Sequence, residues 1–118
     1  MSGKLSTHVL DTYSGKPAAG IPWVLEFKSE TDGWVRLNEG ITNSDGRTDA
    51  PLLEGGRLVS GLYRIVFRVG GYFAGFVDDL PETPFLDEIA IQVGLEAGGR
   101  YHVPLLTSPW SYSTYRGS

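Results

Sequence analysis

The chain contains two histidines, His8 and His102. Each lies in a stretch whose apolar and polar residues alternate as in a strand. In Leu5-Ser6-Thr7-His8-Val9-Leu10-Asp11, Ser6, His8 and Leu10 share one face, and Leu5, Thr7 and Val9 share the other. In Tyr101-His102-Val103-Pro104-Leu105-Leu106, His102 shares its face with Pro104 and Leu106. Pro104 has no N–H, which predicts a strand at an edge or locally irregular, where side chains can meet a ligand or another subunit. A neutral imidazole titrating near neutral pH suits general-base activation of water. The plain alternative is a half-buried strand histidine held by a hydrogen bond. Metal ligation lacks a third ligand at motif spacing.

Arg47 follows Ser44-Asp45-Gly46, a tight-turn sequence. A guanidinium on a short, rigid turn can clamp a planar heterocycle or a developing oxyanion through two parallel hydrogen bonds. Taken alone, it reads first as a solvated turn arginine. The segment Pro109-Trp110-Ser111-Tyr112-Ser113-Thr114-Tyr115-Arg116-Gly117-Ser118 carries three aromatics and one charged side chain. Terminal residues are usually small, polar and frayed. An aromatic, charge-poor tail is expected to pack against its own domain or a neighbouring subunit. If extended, it points Thr114, Arg116 and Ser118 one way and Ser113, Tyr115 and Gly117 the other. Ser118 then offers a hydroxyl and a carboxylate as paired acceptors. A last strand docked only for stability is the competing reading.

The elements that must position these groups read as strands. Trp23, Leu25 and Phe27 alternate with Val24, Glu26 and Lys28, and Asp32-Gly33 turns the chain into Trp34-Val35-Arg36-Leu37, a hairpin signature. Tyr63, Ile65, Phe67 and Val69 alternate with Arg64, Val66 and Arg68; Ile89, Ile91 and Val93 share another face. Glu96-Ala97-Gly98-Gly99 reads as a turn. Tyr72, Phe73, Phe76, Val77 and Leu80 instead recur at helical spacing, predicting a short helix ended by Pro81. Seven or eight strands with one helical turn predict an all-β, two-sheet sandwich, a single domain over residues 1–118.

Composition narrows the partners. With no cysteine, disulfides, thiolate metal sites and a cysteine nucleophile are excluded. The net charge is −4 with the signs interspersed, so no basic block exists to neutralise nucleic-acid phosphates. No apolar run approaches the ~20 residues of a membrane span. Met1-Ser2-Gly3-Lys4 leads into a strand without an apolar stretch, so no signal peptide is expected and the cytoplasm is the default. Trp23, Trp34 or Trp110 could serve as stacking platforms of a sugar-binding sandwich, but Trp23 alternates in phase with core residues.

Taken together, Leu5-Ser6-Thr7-His8-Val9-Leu10-Asp11, Gly46-Arg47-Thr48, Tyr101-His102-Val103-Pro104-Leu105-Leu106 and Ser113-Thr114-Tyr115-Arg116-Gly117-Ser118 resemble the 5-hydroxyisourate hydrolases. These are the transthyretin-related enzymes of urate breakdown. The resemblance runs the length of the chain, with the four motifs in order. It implies a transthyretin-like (prealbumin-like) two-sheet β-sandwich with one short helix, assembled as a homotetramer with sites in a channel between dimers. It implies hydrolytic opening of the ring of 5-hydroxyisourate, a small-molecule substrate, to 2-oxo-4-hydroxy-4-carboxy-5-ureidoimidazoline, with neither metal nor cofactor. Carried over by motif, His8, Arg47, His102 and Ser118 are catalytic, His8 and Arg47 also bind substrate, and Tyr115 and Arg116 shape and close the pocket. Arg100, Trp110 and Phe85-Leu86-Asp87-Glu88 depart from the usual pattern. A transthyretin-like carrier of small ligands is the rival function, though it has no need of this polar set.

Overall fold

The computed structural model describes residues 3–117. Along the chain run β1 (Lys4–Asp11), β2 (Lys16–Pro17), β3 (Pro22–Ser29), β4 (Gly33–Ile41), β5 (Leu53–Glu54), β6 (Gly61–Arg68), α1 (Val69–Ala74), β7 (Glu88–Leu95), β8 (Arg100–Thr107) and β9 (Tyr112–Thr114). They form two stacked sheets. The first has the order β2-β1-β8-β9, with β5 also pairing β1, and the second the order β4-β3-β6-β7. The fold is the expected transthyretin-like sandwich. Neighbouring strands pair antiparallel except β1 and β8, which run parallel and in register from Lys4↔Arg100 to Asp11↔Thr107. That one parallel pair decides which groups of the site meet.

The alternation in sequence becomes alternation in burial. Leu5 and Val9 of β1, Trp23 and Leu25 of β3, Tyr63, Ile65 and Phe67 of β6, Ile89 and Ile91 of β7 and Val103 and Leu105 of β8 fill the space between the sheets. Each such side chain contributes roughly 1.5–3 kcal/mol on burial. Gly33, in the left-handed region at φ 68°, turns β3 into β4 as the Asp32-Gly33 pair predicts. Trp23 is core, and Gly40 is what admits it, since a Cβ there would lie 2.8 Å from its ring.

The helix differs from the expectation. It spans Val69–Ala74, not Tyr72–Leu80. Its first turn starts early because the N–H groups of Val69 and Gly70 both donate to the Asp87 carbonyl, at 3.0 Å each. It stops at Gly75, and the left-handed Asp79 (φ 64°) turns the chain before Leu80. The helical spacing of the aromatics instead reflects a cluster in which Tyr72, Phe73 and Phe76 meet at 5.0–5.9 Å. Tyr72 ties this cluster to β1 by donating to the fully buried Asp11 carboxylate at 2.8 Å. Burial, and then that bond, raise the Tyr72 phenol pKa.

Candidate active site

The site rests on the outward face of β1 and β8. Because β1 and β8 run parallel, Ser6 lies beside His102 and His8 beside Pro104. The two imidazoles are therefore diagonal neighbours, roughly 8 Å apart at Cα from ordinary strand spacing and rise. Both are half-buried. The Ser6 hydroxyl and His102 Nδ1 share a 2.9 Å hydrogen bond. On the inward face, the buried Thr7 hydroxyl donates to the Val103 carbonyl at 2.6 Å and locks the two strands at the same level.

Arg47 is delivered by a turn built from local chemistry. The Asn43 side-chain oxygen accepts from the N–H groups of Asp45 (2.9 Å) and Arg47 (3.1 Å). The Gly46 N–H closes the turn onto the Asn43 carbonyl at 2.9 Å. Gly46 is left-handed at φ 73° and lies so close to Pro17 that a Cβ would stand 3.2 Å from that ring. The Val9 N–H donates to the Gly46 carbonyl at 2.8 Å, clamping the turn to β1 and making Arg47 the bridge partner of His8.

The electrostatics follow from this crowding. His8 titrates below the ordinary 6.5, first because it is buried, then because the Arg47 charge repels the imidazolium; a hydrogen bond to the Asp45 backbone and the Asp45 charge oppose this. His102 is lowered by burial first and then by Arg47, His8 and Lys4. Both rings are thus neutral at neutral pH, each with one nitrogen able to accept a proton. Arg47 forms no ion pair among the described residues.

The tail joins the site through its backbone. β9 pairs β8 from Thr107↔Tyr112 to Leu105↔Thr114. The same register resumes at His102↔Gly117, where the Gly117 N–H donates to the His102 carbonyl at 2.7 Å. Between these contacts lies Pro104, which has no N–H for the ladder. Its carbonyl accepts instead from the Thr114 hydroxyl at 2.7 Å. So β8 is an inner strand with an interrupted ladder, and the irregularity predicted from Pro104 lies beside the histidine. Gly117 fits closely there, since a Cβ would stand 3.1 Å from the His102 ring.

Of the residues singled out in the sequence, His8, Arg47 and His102 are brought together. Arg116 is not among them. Its guanidinium stacks on Tyr101, 4.7 Å from the ring centre, and Tyr101 packs toward the core on the other side of β8. Tyr115 is exposed and, with Arg116, lines a cavity of about 250 Å³ against Val93 and Leu95 of β7. Ser118 lies outside the described residues. Ser6 and Lys4 belong to the face but were not singled out. Ser6 alternates in phase with His8, yet only the parallel pairing reveals its contact with His102. No group of three or more His, Cys, Asp or Glu side chains able to hold a metal occurs among the described residues, and no helix among them is long and apolar enough to cross a membrane.

Known proteins share this sequence and this fold. Residues 5–117 match the model of the HIUase/Transthyretin family. A 5-hydroxyisourate hydrolase of Deinococcus radiodurans is 51% identical, with all of both chains covered. A solved 5-hydroxyisourate hydrolase from Klebsiella pneumoniae superposes with a TM-score of 0.77 at 30% identity, covering 98% of this chain and 99% of that one. The structure of (S)-allantoin synthase superposes with a TM-score of 0.91 at 42% identity over 99% of this chain, which spans only 44% of that longer one. This chain therefore belongs to the HIUase/Transthyretin family.

Proposed function

We propose that this protein is a hydrolase that opens the ring of 5-hydroxyisourate, the substrate named for its full-length relatives. The observation that carries the reading is the convergence of His8, His102 and Arg47 on one outward face, with both imidazoles held neutral. A carrier of apolar ligands has no use for two half-buried bases beside an exposed arginine.

In this reading a neutral imidazole, His8 or His102, takes a proton from water as its oxygen attacks a ring carbonyl carbon. Arg47 orients the planar substrate and meets the oxyanion as charge develops on it. The ring C–N bond then breaks. The proton taken from water passes from the base histidine to the leaving nitrogen, relayed through the other histidine or the Ser118 hydroxyl, giving 2-oxo-4-hydroxy-4-carboxy-5-ureidoimidazoline. General-base catalysis supplies ~10²–10⁴-fold and the oxyanion donor ~10²–10³-fold. Tyr115 and Arg116, which stand on the Tyr101 side of β8 in the single chain, close the pocket of a neighbouring subunit in a homotetramer, where the exposed Tyr112 and Tyr115 of the tail face that subunit.

The test is direct. 5-Hydroxyisourate is generated from urate by urate oxidase and its absorbance followed with and without the protein. Accelerated loss of the signal is expected, and an unchanged decay would reject the reading. Sedimentation equilibrium of the same sample is expected to give the mass of four chains.

A further inference from the structure

The two histidines have different partners, and that difference separates their roles. His8 hydrogen-bonds to the backbone of Asp45. That contact and the Asp45 charge favour the protonated ring and partly offset burial and the Arg47 charge. His102 faces the Ser6 hydroxyl at 2.9 Å, and a hydroxyl can donate or accept. Ser6 stands directly opposite His102 across the parallel ladder. The His102 backbone is further pinned by the Gly117 bridge. The ring is therefore held at its main chain on one side and at Nδ1 on the other.

We infer that Ser6 is a positioning residue: its hydroxyl accepts the Nδ1 proton of His102, fixing the ring so that Nε2 is the nitrogen that takes the reaction's proton. The inference rests on the hydrolase reading for its kinetic consequence but not for its structural one. A Ser6 oxygen engaged by Nδ1–H also stabilises the imidazolium formed when Nε2 is protonated, because the same bond becomes charge-assisted. The charged and titratable groups that bear on His102 are Arg47 on its turn and His8 and Lys4 on β1, with Arg100 two residues before it on β8. In the described structure they are cations or a neutral base, and Ser6 is the group whose bond to this ring needs no charge of its own.

The experiment has a spectroscopic and a kinetic arm on the full chain. With the histidines labelled by ¹⁵N, the imidazole shifts of His102 at neutral pH are expected to report Nδ1–H in the unmodified protein. In Ser6→Ala they are expected to move toward the Nε2–H form that free imidazoles favour. Unmoved shifts, or an Nε2–H ring in the unmodified protein, would overturn the assignment whether or not 5-hydroxyisourate is the substrate. In turnover, Ser6→Ala is expected to lower kcat about tenfold with KM nearly unchanged, the loss expected of one orienting hydrogen bond. Ser6→Thr, which keeps the hydroxyl, is expected to restore most of it. In a His102→Asn background Ser6→Ala is expected to cost nothing further. A full additional loss there would mean that Ser6 acts independently of His102, and the inference would fail.

Discussion

The two outer faces of the sandwich treat their cations in opposite ways. On the β4-β3-β6-β7 sheet, Arg64 lies directly across from Glu26 and bonds it at 2.5 Å, and Arg68 lies across from Glu88 at 3.1 Å. Arg36 meets Glu39 at 2.7 Å, while Arg64 also covers the Trp34 ring at 4.3 Å. These are cross-strand and local pairs that neutralise themselves. On the β2-β1-β8-β9 sheet, burial first and then the Arg47 charge lower both histidine pKa values, with His8 and Lys4 adding to this at His102 and Asp45 opposing it at His8. The second arrangement disfavours added positive charge on that face. Something electron-rich, or an oxyanion, is what such a face suits. In the hydrolase reading the balanced face is scaffold and the other face carries the site.

The largest effects should separate the faces outright. His8→Asn and His102→Asn are each expected to lower kcat by ~10²–10⁴-fold. Arg64→Met, on the balanced face, should leave kcat within a factor of about two. Steady-state turnover of enzymatically generated 5-hydroxyisourate decides it, and an Arg64 variant as damaged as the histidine variants would erase the distinction.

Arg47 tests the cause of the imbalance as well as its use. Arg47→Met is expected to reduce kcat by ~10²–10³-fold through loss of the oxyanion partner. The sign of its pH effect follows from the lowered histidine pKa values. Neutral imidazole is the working form, so activity falls as pH drops through a value below 6.5. Removing the Arg47 charge should move that acid limb upward, though not fully to 6.5, because burial is the larger cause for both rings. A limb that stays in place in the pH–rate profile would remove Arg47 from the histidines' electrostatics.

Much of this was legible in the residues, and what was not has a common physical origin. Strand faces were readable because side-chain direction has period two. Trp23, Tyr63, Ile65 and Ile89 fall inward as their alternation requires. The turn at Ser44-Asp45-Gly46 was readable because Gly46 and its neighbours encode it locally. Partner choice was not, since alternation says which face a residue takes and nothing about which strand lies beside it. Hence the Ser6–His102 contact, 96 residues apart, was invisible. The direction of Arg116 was not readable for a related reason. In an extended tail its direction depends on register, and the register of His102↔Gly117 turns it toward Tyr101. The aromatic spacing after Val69 suggested a longer helix because clustered rings and a helical stripe share the same intervals.

The backbone contact of the tail gives a smaller and more discriminating effect. Gly117→Val would bring branched carbons against the His102 ring, where even a Cβ stands at 3.1 Å. Displacing that ring by a fraction of an ångström should cost turnover on the order of tenfold or more, with the melting temperature changed little. Parallel losses of activity and of melting temperature would make the tail a structural strap only.

The balanced face offers the smallest effect and the converse control. Glu26→Gln leaves Arg64 without its carboxylate but still stacked on Trp34. The pair is only partly buried, with side-chain exposures of 33% and 18%. Its loss is therefore expected to cost about 1 kcal/mol of stability, less at high salt, because screening weakens the pair that is removed. Turnover and the acid limb should not move, since Glu26 faces away from both histidines across the thickness of the core. Denaturant unfolding at two ionic strengths, read beside the pH–rate profile, checks both halves. A shifted acid limb in Glu26→Gln would mean that the two faces are electrostatically coupled through the sandwich, and that the imbalance at His8 and His102 is a property of the whole fold, not of one face.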